Sequence, residues 1–229
     1  MKPETLTQPF RSYLGNTKVP KRTITRLSRY LRVLEKLEKD GLEIIVSEKL
    51  AHHCNINSSI VRKDLTYFGV FGTAGKGYSL KELLFQIKKI LGLHKGWRLG
   101  VIGMGNLGSA LISSSKFPRQ GYHFTAAFDK DPKKIGRVTP LGFRISSISD
   151  FNQIAFDKKI DIAVITTPPN RAQDAANLII NTPIRGILNF SPVALNVPNR
   201  VIVQDIDFTL KLDSLVYQIK IANSLAIHW

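Results

Sequence analysis

Gly103-Met104-Gly105-Asn106-Leu107-Gly108 is a G-x-G-x-x-G turn between the apolar run Leu99-Gly100-Val101-Ile102 and Ser109-Ala110-Leu111-Ile112, which can continue as a helix. Strand, glycine turn and helix in this order make the phosphate-binding corner of a dinucleotide fold. The first glycine allows the tight turn, the second lets backbone approach a pyrophosphate, and the third lets helix and strand pack closely. The helix N-terminus adds a favourable field for the anion. The turn starts at residue 103, behind a basic segment, and the fold would be complete with little chain remaining. That order is odd for a dehydrogenase and natural for a sensor.

Outward from the turn, the second strand, Phe124–Phe128, ends at Asp129, 21 residues past Gly108. A carboxylate there can bond the adenosine ribose hydroxyls and repels a 2′-phosphate, which favours NAD over NADP. Lys130, Lys133 and Lys134 stand close enough to offset part of that repulsion. A plain polar turn would also explain Asp129-Lys130-Asp131-Pro132. The apolar runs Ile160–Thr166 and Ile184–Phe190 read as parallel strands buried on both faces, with a crossover helix over Asn170–Ile180 and a last short strand at Val201–Val203. Ligands lie at strand C-termini in such sheets, so Thr166 and Pro168 in Thr166-Thr167-Pro168-Pro169, and Asn189 in Asn189-Phe190-Ser191-Pro192, border the nicotinamide side. Prolines that simply end strands would explain both segments equally well.

The 229 residues are long enough for one large or two small domains, and 33 Lys and Arg against 17 Asp and Glu give a formal charge of +16. Such an excess points first to polyanions, nucleic acid or an anionic membrane surface. No apolar run approaches the ~20 residues needed to span a bilayer, and Met1–Phe10 lacks the apolar core of a secretory signal. The chain therefore reads as soluble and cytoplasmic. Arg11, Lys18, Lys21, Arg22, Arg26, Arg29 and Arg32 fall between Thr5 and Leu34 without one acidic residue. From Thr23, a candidate cap, Ile24, Leu27, Tyr30, Leu31, Leu34 and Leu37 recur at helical spacing up to Gly41. Ser47 is placed to cap a second helix through His53, and Ser58 or Ser59 to start a third that runs to about Tyr67. This is a helix-turn-helix outline. The glycine-rich segment Phe71–Tyr78 suits a β-hairpin wing, and a further helix covers Leu80–Leu91. Arg62 and Lys63 are the candidates for reading base edges, while Arg22, Arg26, Arg29 and Lys76 suit phosphate contacts.

No catalytic set emerges. None of His52, His53, His94, His123 and His228 follows a predicted Rossmann strand with a partnered acid. His52-His53-Cys54 invites a metal, but neighbouring helical residues point in different directions and no further ligands cluster there. Cys54 is the single cysteine, which excludes an internal disulfide.

Several of these motifs together resemble the Rex family, bacterial redox-sensing transcriptional repressors that bind DNA as homodimers and respond to the NADH/NAD ratio. Ser59–Gly69 is similar to the family's recognition helix, Phe71-Gly72 through Gly75-Lys76-Gly77-Tyr78 to its wing, and Val101–Leu111 to its nucleotide corner. Phe128–Pro132, Gly186–Val193 and Asp205-Ile206-Asp207-Phe208 complete the match. The resemblance implies a recognition surface that includes Ser58, Ser59 and Tyr67, and a C-terminal helix swapped onto the partner subunit. It also implies a Phe208 ring near the partner's nicotinamide. Asp207 matches an acid that changes partners between states, and Arg32 the first-helix arginine it can pair with. One departure is Ser114, where family members usually carry a tyrosine that partners this acid.

The expected architecture is α/β. It has a flexible basic arm at 1–19, a winged helix-turn-helix domain at 20–92, a doubly wound parallel-sheet Rossmann domain at 96–205 and a domain-swapped helix at 206–229. The expected function is a repressor, not an enzyme, that binds a palindromic double-stranded operator and senses NAD and NADH, with no metal and no membrane partner. Two rivals stay open at this point: an NAD(P)-dependent oxidoreductase with a basic appendage, and a DNA-binding protein in which NAD is only structural.

Overall fold

The computed structural model describes residues 19–69, 71–72 and 76–226, so the expected arm and the tip of the wing fall almost entirely outside the described residues. The chain divides into two compact units, Met1–Lys95 and Gly96–Trp229.

In the first unit, α1 (Lys21–Lys39), α2 (Ser47–Cys54), α3 (Ser58–Thr66) and α4 (Leu80–Ile90) surround one core. Leu27, Leu31 and Leu34 of α1 are fully buried there with Leu50, Val61, Leu80 and Ile87. This is the burial that the helical spacing of apolar residues implies. Gly41 stops α1 with φ +80°, as Leu42 N–H donates to the Leu37 carbonyl and Gly41 N–H to that of Glu38. Both bonds satisfy carbonyls that the helix end leaves bare.

The first two helices lack the caps that sequence suggests, while α3 starts at Ser58 as expected. α1 begins two residues before Thr23, behind Pro20, because Thr23 is buried and spends its hydroxyl on α3. α2 begins at Ser47 after an extended Val46, with no side-chain cap. α3 is capped by Asn57, whose side chain accepts from Ser59 N–H at 2.9 Å. The wing's return strand β2 (Tyr78–Ser79) pairs antiparallel with β1 (Ile44–Ile45), just ahead of α2.

The second unit is a parallel six-stranded sheet in the order β5-β4-β3-β6-β7-β8. Its strands are β3 (Trp97–Ile102), β4 (Tyr122–Asp129), β5 (Ile145–Ser147), β6 (Ile162–Ile165), β7 (Gly186–Asn189) and β8 (Ile202–Asp205). The order reverses between β3 and β6, which makes the crevice beyond their C-terminal ends the natural ligand position. α5 (Asn106–Ser113) follows β3, the one-turn α6 (Lys116–Arg119) precedes β4, and α8 (Pro169–Ile179) joins β6 to β7. The edge strand β5 and α7 (Phe151–Asp157) were not anticipated; a three-residue edge strand carries almost no periodicity. Finally, α9 (Thr209–Ala226) leaves the sheet with its apolar side chains in solvent.

Candidate functional site

Each glycine of the corner has a separate physical reason. Gly103 holds φ +101°, and a Cβ there would lie 3.0 Å from the Thr166 backbone. At Gly108 a Cβ would sit 2.2 Å from the Gly103 carbonyl oxygen. At Gly105, by contrast, a Cβ meets nothing within 4 Å. Gly103 and Gly108 are therefore needed by the protein, whereas Gly105 keeps space clear above the start of α5. Gly105, Asn106 and Leu107 are exposed around that space, and α5 has no side-chain cap. Its first amides are donors suited to an anion.

Asp129 lies beside the same turn. Its carboxylate accepts from Met104 N–H at 2.8 Å, Asp131 N–H at 2.9 Å and Lys134 Nζ at 3.0 Å. Burial opposes the charge, but these donors outweigh it and hold the carboxyl below its usual range. Lys134 is thus the lysine that neutralises Asp129, while Lys130 projects into solvent. Sequence alone put three lysines nearby without choosing between them.

At the strand ends expected to face the nicotinamide, the residues divide into those that hold the loops and those that are exposed. Thr166 donates to the Gly103 carbonyl at 2.6 Å, pinning the glycine turn to the end of β6. Asn189 is fully buried and its amide is spent. Nδ2 donates to the Val193 carbonyl and to Asp205 at 2.9 and 2.8 Å, and Oδ1 accepts from Ser191 N–H at 3.0 Å. Both side chains hold the loops that border the crevice. Pro168 is exposed at the start of α8. Two hydroxyls that sequence reading did not single out, Thr167 Oγ1 and Ser191 Oγ, are buried without a hydrogen-bond partner. Each lies two residues beyond a strand end at the crevice, where a carboxamide or ribose could satisfy it. Open volume at Gly105, uncapped amides and these hydroxyls together fit a dinucleotide.

On α3, Ser59, Arg62, Lys63 and Thr66 are exposed while Val61, Asp64 and Leu65 are buried, so one stripe faces solvent. Ser58 and Tyr67 are half-buried at its ends. Arg62 Nη1 donates to Glu48 at 2.8 Å and to Ser47 Oγ at 3.2 Å, bracing the side chain against α2. Arg22 and Lys76 are exposed, as phosphate contacts require. Arg26 is different: Nε and Nη2 both donate to Asp64 at 2.6 Å. Two of its three nitrogens are thus engaged inside the protein, while the side chain keeps 27% exposure. Thr23 and Tyr30 donate to the same carboxylate at 2.9 and 2.7 Å. An acid in the last turn of a helix, flanked by residues of the exposed stripe, was the available sequence signal for this cluster.

Burial alone would raise the Asp64 pKa, but bonds from Arg26, Tyr30 and Thr23 hold it below the usual range. Folding thus lowers this pKa. The stabilisation is complete above the unfolded value of about 4 and disappears as pH falls through the lower folded value. In urea titrations between pH 5 and pH 2, the wild type should lose more stability than Asp64→Asn. Equal acid sensitivity would remove Asp64 as a contributor.

Arg32 and Asp207 each have a partner within their own unit. Arg32 lies 3.5 Å from Glu35, which also pairs with Lys88 at 3.1 Å. Asp207 Oδ1 accepts from Thr209 N–H at 2.8 Å and from its hydroxyl at 2.6 Å, which lowers its pKa and secures the start of α9. The Phe208 ring is 64% exposed and stands 6.4 Å from that of Phe190. Ser114 ends α5. Among the described residues no helix is long and apolar enough to cross a membrane, and no cluster of His, Cys, Asp or Glu could hold a metal ion.

Comparison with known proteins covers both units. Residues 18–66 match the family "Putative DNA-binding protein N-terminus", and residues 94–193 match "CoA binding domain". The redox-sensing transcriptional repressor Rex of Syntrophobacter fumaroxidans is 46% identical over 90% of this chain and 98% of its own. Rex 1 of Thermotoga maritima is 38% identical over 90% and 99%. The crystal structure of RSP, a Rex-family repressor, in complex with β-NAD+ and operator DNA superposes with a TM-score of 0.85 at 32% identity, over 92% of this chain and 97% of that one. The β-NADH complex gives 0.82 at 30% identity, over 93% and 100%. With the helix-turn-helix stripe and the glycine cradle both inside the matched length, the chain belongs to the Rex family of redox-sensing transcriptional repressors.

Proposed function

We propose that this chain is a homodimeric cytoplasmic repressor that reads a palindromic operator with α3 and senses the NADH/NAD ratio through the cradle at Gly103–Gly108, without catalysing a reaction. One observation carries the reading: the space above Gly105 and the exposed stripe Ser59–Arg62–Lys63–Thr66 occur in a single chain that spans nearly the full length of its Rex relatives. The ligand supplies a signal, since the oxidised nicotinamide ring is positively charged and the reduced ring is neutral and nonplanar. The α5 amides hold the pyrophosphate, Asp129 takes the ribose hydroxyls, and the loops fixed by Thr166 and Asn189 border the ring. Phe208 covers the ring of the partner subunit, and Asp207 exchanges partners with Arg32 as the state changes. NADH then favours a closed dimer with misplaced recognition helices, because a ligand shifts an equilibrium only toward the state that binds it more tightly.

Support for the dimer comes from α9, where Leu210, Leu212, Leu215, Val216, Tyr217, Ile219 and Ile221 are all at least 42% exposed. An apolar helix of this kind requires a partner surface. The swapped helix is accordingly assigned to residues 206–229, beyond a nucleotide domain at 96–205 and a DNA-binding domain at 20–92.

Titration of NADH and of NAD into a complex with a palindromic duplex at fixed salt tests the whole reading. Release by NADH alone is the expected result. Indifference to both nucleotides would leave NAD as a structural ligand, and steady NADH consumption with a small carbonyl substrate would make the chain an oxidoreductase. Asp129→Ala is expected to weaken NADH binding at least about tenfold by calorimetry, equivalent to about 1.4 kcal/mol, with operator affinity unchanged without nucleotide. Equal loss of both affinities would show that Asp129 serves only the fold.

A further inference from the structure

We propose that Thr23, Arg26 and Tyr30 act through Asp64 as a positioning clamp that sets the rotation of α3 and thereby the discrimination between DNA sequences; this rests on the reading of α3 as the recognition helix. Four hydrogen bonds from three side chains of α1 converge on one carboxylate that is 1% exposed. Their positions, 23, 26 and 30, follow one face of α1 and meet the buried face of α3. The apolar contacts of Val61 and Leu65 alone would keep α3 attached, but such burial is non-directional and tolerates a roll about the helix axis. Hydrogen bonds to both carboxylate oxygens do not.

The position of Asp64 argues for the same role. A negative charge in the last turn of a helix is opposed by the helix dipole, and a buried charge is costly unless its partners are well placed. A fully partnered polar network in this setting favours one arrangement of the helices over near alternatives. Arg62 and Lys63 leave α3 immediately before Asp64, so a roll that breaks the clamp moves both away from their targets. On the other side, Glu48 and Ser47 brace Arg62. Base contacts require such placement, because a two-bond contact to a guanine edge is lost with a small displacement, whereas a phosphate contact tolerates it.

The test uses the full chain. Wild-type protein selects duplexes from a random-sequence pool. Affinities for the enriched duplex and for a scrambled one are then measured by anisotropy at several salt concentrations, well below each variant's melting temperature. Asp64→Asn and Arg26→Lys should each lower the enriched-to-scrambled affinity ratio at least about tenfold. Affinity for the scrambled duplex and its salt dependence should stay at wild-type values. Tyr30→Phe removes one oxygen, keeps the core filled and should lower the ratio by a smaller factor, so the clamp remains testable should Asp64→Asn fail to fold. If the clamp variants keep the wild-type ratio while Arg62→Ala loses it, the clamp idea fails and the DNA reading stands. A shallower salt dependence in Arg26→Gln, which removes the charge, would make Arg26 a phosphate contact and also overturn the clamp. If no duplex is enriched, or if Arg62→Ala and Lys63→Ala retain the ratio, α3 does not read bases and both ideas fall.

Discussion

Gly105→Val is expected to reduce NADH affinity by at least about 100-fold, or about 2.7 kcal/mol, while the melting temperature stays near that of the wild type. A Cβ at Gly105 meets nothing within 4 Å, and its φ of −79° suits any residue, so the protein has no reason of its own to refuse a side chain. On the proposed reading the ligand has one, because the added methyl groups would fill the space in which backbone and pyrophosphate approach. Gly108→Ala should behave in the opposite manner. Its Cβ would lie 2.2 Å from the Gly103 carbonyl and 3.0 Å from Thr166 Oγ1, and neither can withdraw without opening the turn. A stability loss of at least about 3 kcal/mol is expected. Calorimetric titration and thermal unfolding of the two variants check the pair. Full NADH affinity in Gly105→Val would show that the open volume is not the pyrophosphate position.

The second large effect concerns α9. Leu212→Asp combined with Ile219→Asp places two charges one heptad apart on an apolar stripe that also contains Leu215 and Val216. Sedimentation equilibrium should then report a monomer, where the proposed assembly requires the wild type to sediment as a dimer. Operator affinity should fall by about 100-fold or more, because two linked half-site contacts become two independent ones. Affinity for a single half-site duplex should hardly change. A variant that remains dimeric would place the subunit interface elsewhere.

The legibility of the sequence followed the strength of its local signals. The glycine turn, the long central strands and the apolar face of α1 each rest on several residues that agree, and all were readable. Helix starts were less so: Thr23 and Ser47 are good capping residues by type, but tertiary partners claim their hydroxyls. The third helix starts at Ser58, as its sequence suggests, with Asn57 as its cap. Within the site, residue type identified the neighbourhood and not the direction of each side chain. Thr166 and Asn189 lie at the crevice, yet both turn inward to hold the loops, while Thr167 and Ser191 retain the unpaired hydroxyls. Arg26 belongs to a basic run, and only the fold shows that its charge is matched from the far end of α3. The edge strand β5 is too short to leave a pattern in sequence.

Lys134 adds a consequence of another kind. With the bonds from Met104 and Asp131, its contact leaves the Asp129 carboxylate satisfied by the chain's own donors. A protein that reports on a fluctuating metabolite must remain sturdy when that metabolite is scarce. Lys134 acts as a placeholder, so the corner does not rely on its guest to stay folded. On the proposed reading, an arriving ribose would compete for a carboxylate already in use, and its net gain would be smaller for that reason. The same pair that keeps the empty corner intact would thereby temper the affinity of a guest that binds through Asp129.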